Sequence, residues 1–314
     1  MFPLEDKLTA GEVIVLDGGT GTELQRRGAA MDRAAWCARA TMTHGDLLRR
    51  VHEDYIRVGA DVVTANTFAT SRRMLGPAGL GDAVAEINTR AVQLAREARD
   101  AAAPGRPVAV AGSLSAMQPI VPGTGETDPA FVASAAEAKA NYGELAGLLA
   151  EAGVDLILME MMCDIEQATY AVEAAVATGL PIWVGFSVGA AKGGRVPMHR
   201  RDDLDFAEVI EPIMRVGGSV AGIMHSYAKD TTAGLEVLFE RWPGPVSAYP
   251  ESGFFKMPDW QFVDIMPPGD FAELACAWVE GGVQIIGGCC GIGPEHIEAM
   301  TARLPRHAGP RPSS

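Results

Sequence analysis

The sequence predicts a single (β/α)8 barrel, a TIM barrel, and three observations support this prediction. Eight short apolar runs rich in valine and isoleucine recur along the chain, and segments with helical spacing of apolar residues separate them. Continuous apolar runs of this length are typical of parallel strands that are covered on both faces. The chain has 314 residues, enough for a barrel of about 250 residues with extensions. An open doubly wound sheet is the alternative architecture.

The predicted elements follow one another without a long linker or a change in composition. In chain order, the predicted strands lie in EVIVLDGG, DVVTANTF, VAVAGSL, LILMEMM, IWVGFS, SVAGIMH, VSAYP and VQIIGGCC. A clear helical segment is THGDLLRRVHEDYIRVGA, with Thr43 as its predicted N-cap and Gly59 as its predicted stop. We therefore expect one barrel domain over residues 1–305. The Pro/Gly/Ser-rich tail at 306–314 is predicted to be disordered.

The composition indicates a soluble cytoplasmic protein. The chain carries 26 basic and 40 acidic residues, a formal charge of −14, so nucleic acid and anionic membranes are poor partners. No signal peptide is recognised, and no stretch reaches the roughly 18 apolar residues of a membrane helix. The chain has five cysteines, an odd number without the spacing of a disulfide framework, and this suits a reducing compartment. The oligomeric state is left open, and a homo-oligomer is compatible with the sequence.

Polar side chains follow the predicted strands at the points where the strands end. In a (β/α)8 barrel the carboxyl ends of the strands form one mouth, and the chemistry takes place there. The residues at these ends are Asp17, Asn66, Thr67, Ser113, Glu160, Ser187, His225, Glu251, Cys289 and Cys290. Because the strand order would bring all of them around the same mouth, we expect an active site there.

Two adjacent cysteines, Cys289 and Cys290, end the eighth predicted strand, and His225 ends the sixth. Zinc prefers thiolate and imidazole ligands, and a catalytic zinc site keeps three protein ligands and one open position. Neighbouring strand residues point to opposite faces, so both cysteines can bind one ion only if the chain turns. The flanking glycines permit that turn. The alternative is a packed histidine beside two inert thiols, and local spacing does not decide between the two.

Four motifs carry the most specific pattern in the chain. They are DGGTGTELQRRG near the start, HEDYIRVGADVVTANTFATS in the second βα unit, LMEMMCDIEQA at the fourth strand and IIGGCCGIGPEHI near the end. Together they resemble the homocysteine S-methyltransferase family, and the resemblance spans nearly the whole chain. It implies a (β/α)8 barrel, a catalytic Zn²⁺ and transfer of a methyl group to a thiol. Betaine, S-methylmethionine and S-adenosylmethionine are donors in different branches of that family.

The resemblance assigns the catalytic zinc ligands to His225, Cys289 and Cys290, with one departure. The family pattern places a third cysteine at the end of strand six, in Gly-x-Asn-Cys, where this chain has GIMH at 222–225. Two thiolates and one neutral imidazole leave a zinc site formally neutral. Such a site would bind a substrate thiolate more tightly but leave it less nucleophilic. Histidine is a good zinc ligand, and the alternative is a metal-free member of the family.

The resemblance also implies residues that bind substrate. Asp17 and Glu160 would hold the amino group of homocysteine through charge-assisted hydrogen bonds, although each could instead cap a following helix. Gly18 and Gly19 would let the backbone approach the ligand closely. Trp36 would stack on a cationic methyl donor, or else pack under a loop.

Two further strand-end residues, Thr67 and Ser113, complete the predicted substrate-binding set. Glu251 stands where the family commonly has asparagine. A carboxylate there could attract a cationic donor or face solvent, and the sequence leaves both open.

We therefore predict a zinc-dependent S-methyltransferase that moves a methyl group from a small cationic donor, betaine or a sulfonium compound, to homocysteine. Its partners would be a small thiol acceptor and the donor. One alternative is a demethylase of a quaternary ammonium or sulfonium compound that uses another thiol or a corrinoid as acceptor. A second is a zinc- or cysteine-dependent hydrolase, and a third is a non-catalytic barrel. Turnover without a thiol acceptor would distinguish the hydrolase.

Overall fold

Eight parallel strands form one sheet in the computed structural model, which describes residues 2–121, 124, 126–131 and 133–311. The strands are β1 (Ile14–Val15), β2 (Val62–Ala65), β3 (Ala109–Ser115), β4 (Leu156–Glu160), β5 (Ile182–Phe186), β6 (Val220–Tyr227), β7 (Val246–Glu251) and β8 (Ile285–Ile286). Strands β2 to β8 pair with one another in chain order, and β8 pairs with β1. Leu16 then bridges Val62, which joins the first strand to the second and closes the barrel. The predicted fold class is confirmed.

A helix precedes the first strand, a helix follows the last one, and the other helices lie in the connections between strands. They are α1 (Glu5–Ala10), α2 (Thr20–Arg26), α3 (Ala40–Thr43), α4 (Gly45–Arg57), α5 (Arg72–Leu75), α6 (Val84–Ala102), α7 (Ala135–Ala152), α8 (Ile165–Val176), α9 (Phe206–Met214), α10 (Ala228–Arg241), α11 (Pro268–Glu280) and α12 (Pro294–Thr301). Short 3-10 helices span Gly81–Ala83 and Pro129–Phe131. The predicted N-cap at Thr43 is wrong, because Thr43 ends α3 and its hydroxyl bonds the carbonyl of Arg39.

Two apolar layers hold the barrel together. The larger layer lies between the strands and the helices, and the smaller one fills the barrel interior. The interior residues include Leu4, Ile14, Leu16, Val62, Ala109, Leu156, Trp183, Val220, Met224, Tyr249 and Ile285. Phe2 packs edge-on against Trp183, with 6.0 Å between ring centroids. Because Trp183 lies near the amino end of β5, the N-terminal segment covers that end of the barrel and the opposite end forms the mouth.

Two antiparallel hairpins extend the mouth and were not predicted from the sequence. The first pairs Pro197–Met198 with Arg201–Asp205 in the connection after β5. The second pairs Phe254–Lys256 with Gln261–Val263 in the connection after β7. Connections that follow the carboxyl ends of barrel strands build the walls of the active-site mouth. These two hairpins therefore add side chains to the site that strand-end reasoning does not include.

The C-terminal segment contacts the barrel as far as it is described. The amide of Val13 donates to the carbonyl of Arg306 at 2.9 Å, and the amide of Gly309 donates to the carbonyl of Val279 at 2.8 Å. The segment 306–314 is predicted to be disordered, and its residues 312–314 lie outside the described residues. Within the described part of the chain, no helix combines the length and the apolar character needed to cross a membrane.

Candidate active site

A cavity of about 590 Å³ opens at the carboxyl ends of the strands. It brings together nine of the ten residues predicted as zinc ligands or substrate-binding residues: Asp17, Gly18, Gly19, Trp36, Ser113, Glu160, His225, Cys289 and Cys290. Thr67 is not among the residues that line the cavity. Its buried hydroxyl donates to the carbonyl of Ser113 at 2.9 Å and so fixes the neighbouring strand end instead.

The two thiols and the imidazole form a compact cluster. The Sγ atoms of Cys289 and Cys290 are 3.8 Å apart, and Cys289 Sγ lies 3.8 Å from Nδ1 of His225. Donor atoms of all three residues lie within 4.8 Å of one another. In a tetrahedral zinc site with bonds of about 2.3 Å to sulfur and 2.0–2.1 Å to nitrogen, sulfur atoms lie about 3.8 Å apart and sulfur and nitrogen about 3.6 Å apart. The cluster therefore fits a zinc ion.

Glycines produce the turn that places both cysteines on one side. A Cβ on Gly288 would lie 2.3 Å from the side chain of Ile292, and a Cβ on Gly287 would lie 2.5 Å from Cβ of Leu16. Gly291 has a φ of +80°, which a residue with a side chain rarely adopts. Only glycine fits these positions without displacing the backbone, so the predicted role of the flanking glycines agrees with the structure.

His225 reaches the cysteines because β6 departs from regular geometry there. The residue has a φ of +40°, and the pairing of β6 with β7 shifts register between Met224 and Tyr227. Burial lowers the pKa of His225 to about 3, with smaller effects from the charges of His199 and Arg200. The imidazole is therefore neutral at physiological pH and keeps a lone pair for a metal.

Asp17 and Glu160 are buried carboxyl groups that face the cavity. Thr64 donates to Asp17 twice, from its amide at 2.7 Å and its hydroxyl at 2.9 Å, and Ser113 donates to Glu160. Burial raises the pKa of Asp17 to about 8 and that of Glu160 to about 7. Neither caps a helix: α2 begins after Gly19, and the carboxylate of Asp164 caps α8. The capping alternative is therefore wrong for both residues.

Glu251 is buried, with 6% of its surface exposed, so the solvent-facing alternative is wrong. Its Oε2 lies 3.2 Å from Nδ1 of His225. Burial raises the pKa of Glu251 to about 8, and the charge of Arg200 acts against this rise. The chain thus places a third carboxyl group in the cavity, directly beside the thiol and imidazole cluster.

An aromatic cluster forms one wall of the cavity around Trp36. The ring of Phe68 lies 6.0 Å from that of Trp36, the ring of Phe255 lies 5.7 Å away, and that of Trp260 lies 6.1 Å away. Phe255 and Trp260 belong to the hairpin after β7 and its turn. Trp36 packs against this hairpin and also lines the cavity, and its stacking on a donor stays a prediction.

Sequence reasoning missed further cavity residues, and two groups of them add aromatic or polar side chains to the site. The first group, Phe254, Phe255, Trp260, His199 and Arg200, comes from the two hairpins, whose short irregular sequences gave no signal. The second is Tyr249, which lies within β7. Its buried hydroxyl has no hydrogen-bond partner among the described residues, and an interior tyrosine in an apolar strand was the signal that could have indicated it.

Comparison with known proteins identifies relatives over nearly the whole chain. The model of the family described as Homocysteine S-methyltransferase matches residues 14–304. The chain is 26% identical to Homocysteine S-methyltransferase 3 of Zea mays, over 94% of this chain and 91% of that protein. It is also 26% identical to Betaine--homocysteine S-methyltransferase 1 of Danio rerio, over 97% of this chain and 76% of that protein.

A solved structure has the same fold. The homocysteine methyltransferase MmuM from Escherichia coli, in a crystal structure described as the metallated form, superposes with a TM-score of 0.76. The match covers 96% of this chain and 99% of that chain, at 23% sequence identity. At this identity, the likeness supports the barrel architecture alone.

Proposed function

The chain belongs to the homocysteine S-methyltransferase family, and from this premise we propose that it transfers a methyl group from a small cationic donor to homocysteine, giving methionine, with Zn²⁺ as its cofactor. Membership makes the protein a methyltransferase. The observation that carries the finer proposal is the cluster of His225, Cys289 and Cys290, whose donor atoms lie within 4.8 Å of one another. This cluster opens into the cavity that also holds the carboxyl groups and the aromatic wall.

His225, Cys289 and Cys290 would hold the zinc ion. When bound there, Zn²⁺ lowers the pKa of a coordinated thiol, so the sulfur is available as the nucleophilic thiolate at neutral pH. The three residues keep that sulfur at the bottom of the mouth, on the side formed by β6 and β8. The protein thereby fixes the direction from which a methyl donor must approach.

Asp17 and Glu160 would bind the ammonium group of homocysteine. Asp17 follows β1 and Glu160 ends β4, both are buried and line the cavity, and hydrogen bonds from Thr64 and Ser113 fix their orientation. A hydrogen bond to a charged group contributes about 1.5–3 kcal/mol, so two such carboxylates would select an amino acid over a simple thiol. Ammonium binding favours the ionised carboxylates and offsets the pKa rise that burial causes.

The methyl donor would lie between the substrate sulfur and the aromatic wall. Indole and phenyl faces attract a quaternary ammonium or sulfonium group by about 0.5–2 kcal/mol. In the transfer, the sulfur lone pair forms a bond to the methyl carbon. The carbon–nitrogen or carbon–sulfur bond of the donor breaks, and its electron pair stays on the donor, which leaves as a neutral amine or sulfide.

A cysteine hydrolase would need His225 as the base beside Cys289. Burial lowers the pKa of His225, which works against that role.

The test combines zinc-loaded protein, homocysteine and a panel of isotopically labelled donors, with labelled methionine read by mass spectrometry. We expect methionine from one donor, and loss of the product in His225→Ala and after addition of a chelator. His307→Ala, at an exposed histidine near the C-terminus, is the matched control and should behave like the wild type.

Two results would overturn the proposal. Loss of the labelled methyl group from a donor without formation of labelled methionine, by protein that holds one zinc, would mean that the acceptor is another thiol or a corrinoid. Donor turnover in the absence of any thiol would mean that the enzyme is a hydrolase.

A further inference from the structure

The residues on both sides of His225 are bonded to the end of β5. The hydroxyl of Ser187 donates to Sδ of Met224 at 3.1 Å. The amide of Val188, the next residue, donates to the hydroxyl of Ser226 at 2.9 Å. His225 lies between the two bonded residues and has a φ of +40°. Two hydrogen bonds from consecutive residues therefore hold the irregular part of β6 that turns the imidazole towards the cysteines.

The sulfur of Met224 also reaches the end of β4. The amide of Met161 donates to this Sδ at 3.3 Å, and Met161 directly follows Glu160. Met161 has a φ of +57°, so it is a second left-handed residue next to a side chain of the site. One thioether thus joins the turn after Glu160 to the residue that precedes His225.

The surroundings of Met224 make its sulfur hard to replace. Met224 and Ser187 are both fully buried, and Met224 belongs to the apolar layer inside the barrel. Gly185 of β5 leaves room for the side chain, since a Cβ there would lie 2.7 Å from Cγ of Met224. Among the described residues, this sulfur is the one hydrogen-bond acceptor for the hydroxyl of Ser187 and the amide of Met161. A thioether is a weak acceptor, but a buried donor without any acceptor is costly.

We propose that Met224 is a positioning residue for the methyl transfer, because its sulfur holds the turns that carry Glu160 and His225 into the cavity. The inference rests on the proposed function, in which Glu160 binds the ammonium group of homocysteine and His225 binds zinc. The carbon chain of homocysteine would span the distance between these two residues. Loss of the shared acceptor would therefore disturb metal binding and substrate binding together, and with them the alignment of the substrate sulfur.

Met224→Leu removes the acceptor and keeps the apolar bulk. We expect zinc affinity, measured by competition with a chelator, to fall about 10- to 100-fold, as for the loss of a residue that orients a metal ligand. The KM for homocysteine should rise about 10- to 100-fold, as for a lost hydrogen bond to a charged group. The KM for the donor should stay close to that of the wild type, because the aromatic wall is built from other connections.

Met300→Leu is the matched control. It makes the same change at another fully buried methionine, in the layer between the strands and the helices. Zinc affinity and both KM values should remain those of the wild type. Wild-type zinc affinity and homocysteine KM in folded Met224→Leu would overturn the proposal. A wild-type protein that binds no zinc would instead overturn the proposed function, so the two failures are distinguishable.

A rescue variant separates hydrogen bonding from packing. Met224→Gln has a side-chain oxygen that can accept in place of the sulfur, so we expect it to bind zinc and homocysteine more tightly than Met224→Leu. Equal losses in the two variants would overturn the proposal, since the side chain would then act through its shape.

Ser187→Ala removes one of the two donors and tests the same contact from the other side. We expect folded protein with lowered zinc affinity, and a smaller effect of Ser187→Ala in the Met224→Leu background than in the wild type, because the two residues act through one bond. Additive effects would overturn the proposal. If Met224→Leu does not fold, Ser187→Ala alone decides, and wild-type zinc affinity in that variant would refute the positioning role.

Discussion

Replacing Glu160 with glutamine should stabilise the metal-free protein at alkaline pH while it weakens homocysteine binding. Burial raises the pKa of Glu160 from 4.5 to about 7. A group whose pKa is raised on folding stabilises the protein below its unfolded pKa, and this contribution is lost as pH rises through the folded pKa. The protonated carboxyl of Glu160 therefore has little net effect on folding at about pH 4.5, whereas the ionised carboxylate opposes folding at about pH 8.5. Glutamine keeps an oxygen for the hydroxyl of Ser113 but carries no charge.

The magnitude follows from the two pKa values. A rise from 4.5 to about 7 is about 2.5 pKa units, and at about 1.4 kcal/mol per unit the ionised carboxylate costs about 3 kcal/mol in the folded state. The free energy of unfolding of Glu160→Gln should thus exceed that of the wild type by up to about 3 kcal/mol at about pH 8.5. The two proteins should be nearly equal at about pH 4.5.

Urea denaturation followed by circular dichroism over this pH range measures the difference. Glu236→Gln, at an exposed position on α10, is the matched control and should show no such pH-dependent gain. Calorimetry of the zinc-loaded protein should show homocysteine affinity lowered about 10- to 100-fold in Glu160→Gln, as expected for loss of a hydrogen bond to a charged group. Parallel stability curves for the wild type and Glu160→Gln would refute the assignment of a buried, destabilising carboxylate.

Two further substitutions test the aromatic wall and the cysteine turn. Trp36→Leu should raise the KM for the donor about 2- to 30-fold, because a cation–π contact is lost, and should change the KM for homocysteine less. Steady-state kinetics with each substrate varied in turn measures both constants. An equal change in the two KM values would contradict the prediction. Gly288→Ala should lose bound zinc and unfold at lower temperature, because its Cβ would lie 2.3 Å from Ile292. Gly143→Ala is its control, since a Cβ there meets nothing within 4 Å, and metal analysis with thermal unfolding compares the two.

The strands were predictable because burial on both faces requires continuous apolar runs. The hairpins at the mouth were not, because their strands are two to five residues long and carry polar or mixed sequences such as RDDLD. Their positions depend on the barrel that supports them. The aromatic partners of Trp36 were missed for the same reason, since Phe255 and Trp260 belong to such a hairpin.

Strand ends indicated most of the site, but side-chain direction had to come from the structure. Thr67 follows β2 as the pattern suggests, yet its hydroxyl turns to the carbonyl of Ser113 and away from the cavity. The contact between Glu251 and His225 depends on the left-handed backbone of His225. A hydrophobic pattern in the sequence contains no information on such a backbone angle.

Zinc-edge X-ray absorption, recorded without and with homocysteine, tests the central claim most directly. In the free protein we expect two sulfur atoms at about 2.3 Å from the zinc, from Cys289 and Cys290. After homocysteine is added, we expect three sulfur atoms at that distance and one fewer nitrogen or oxygen neighbour. A sulfur count that stays at two with homocysteine bound would contradict activation of the substrate thiol by the metal.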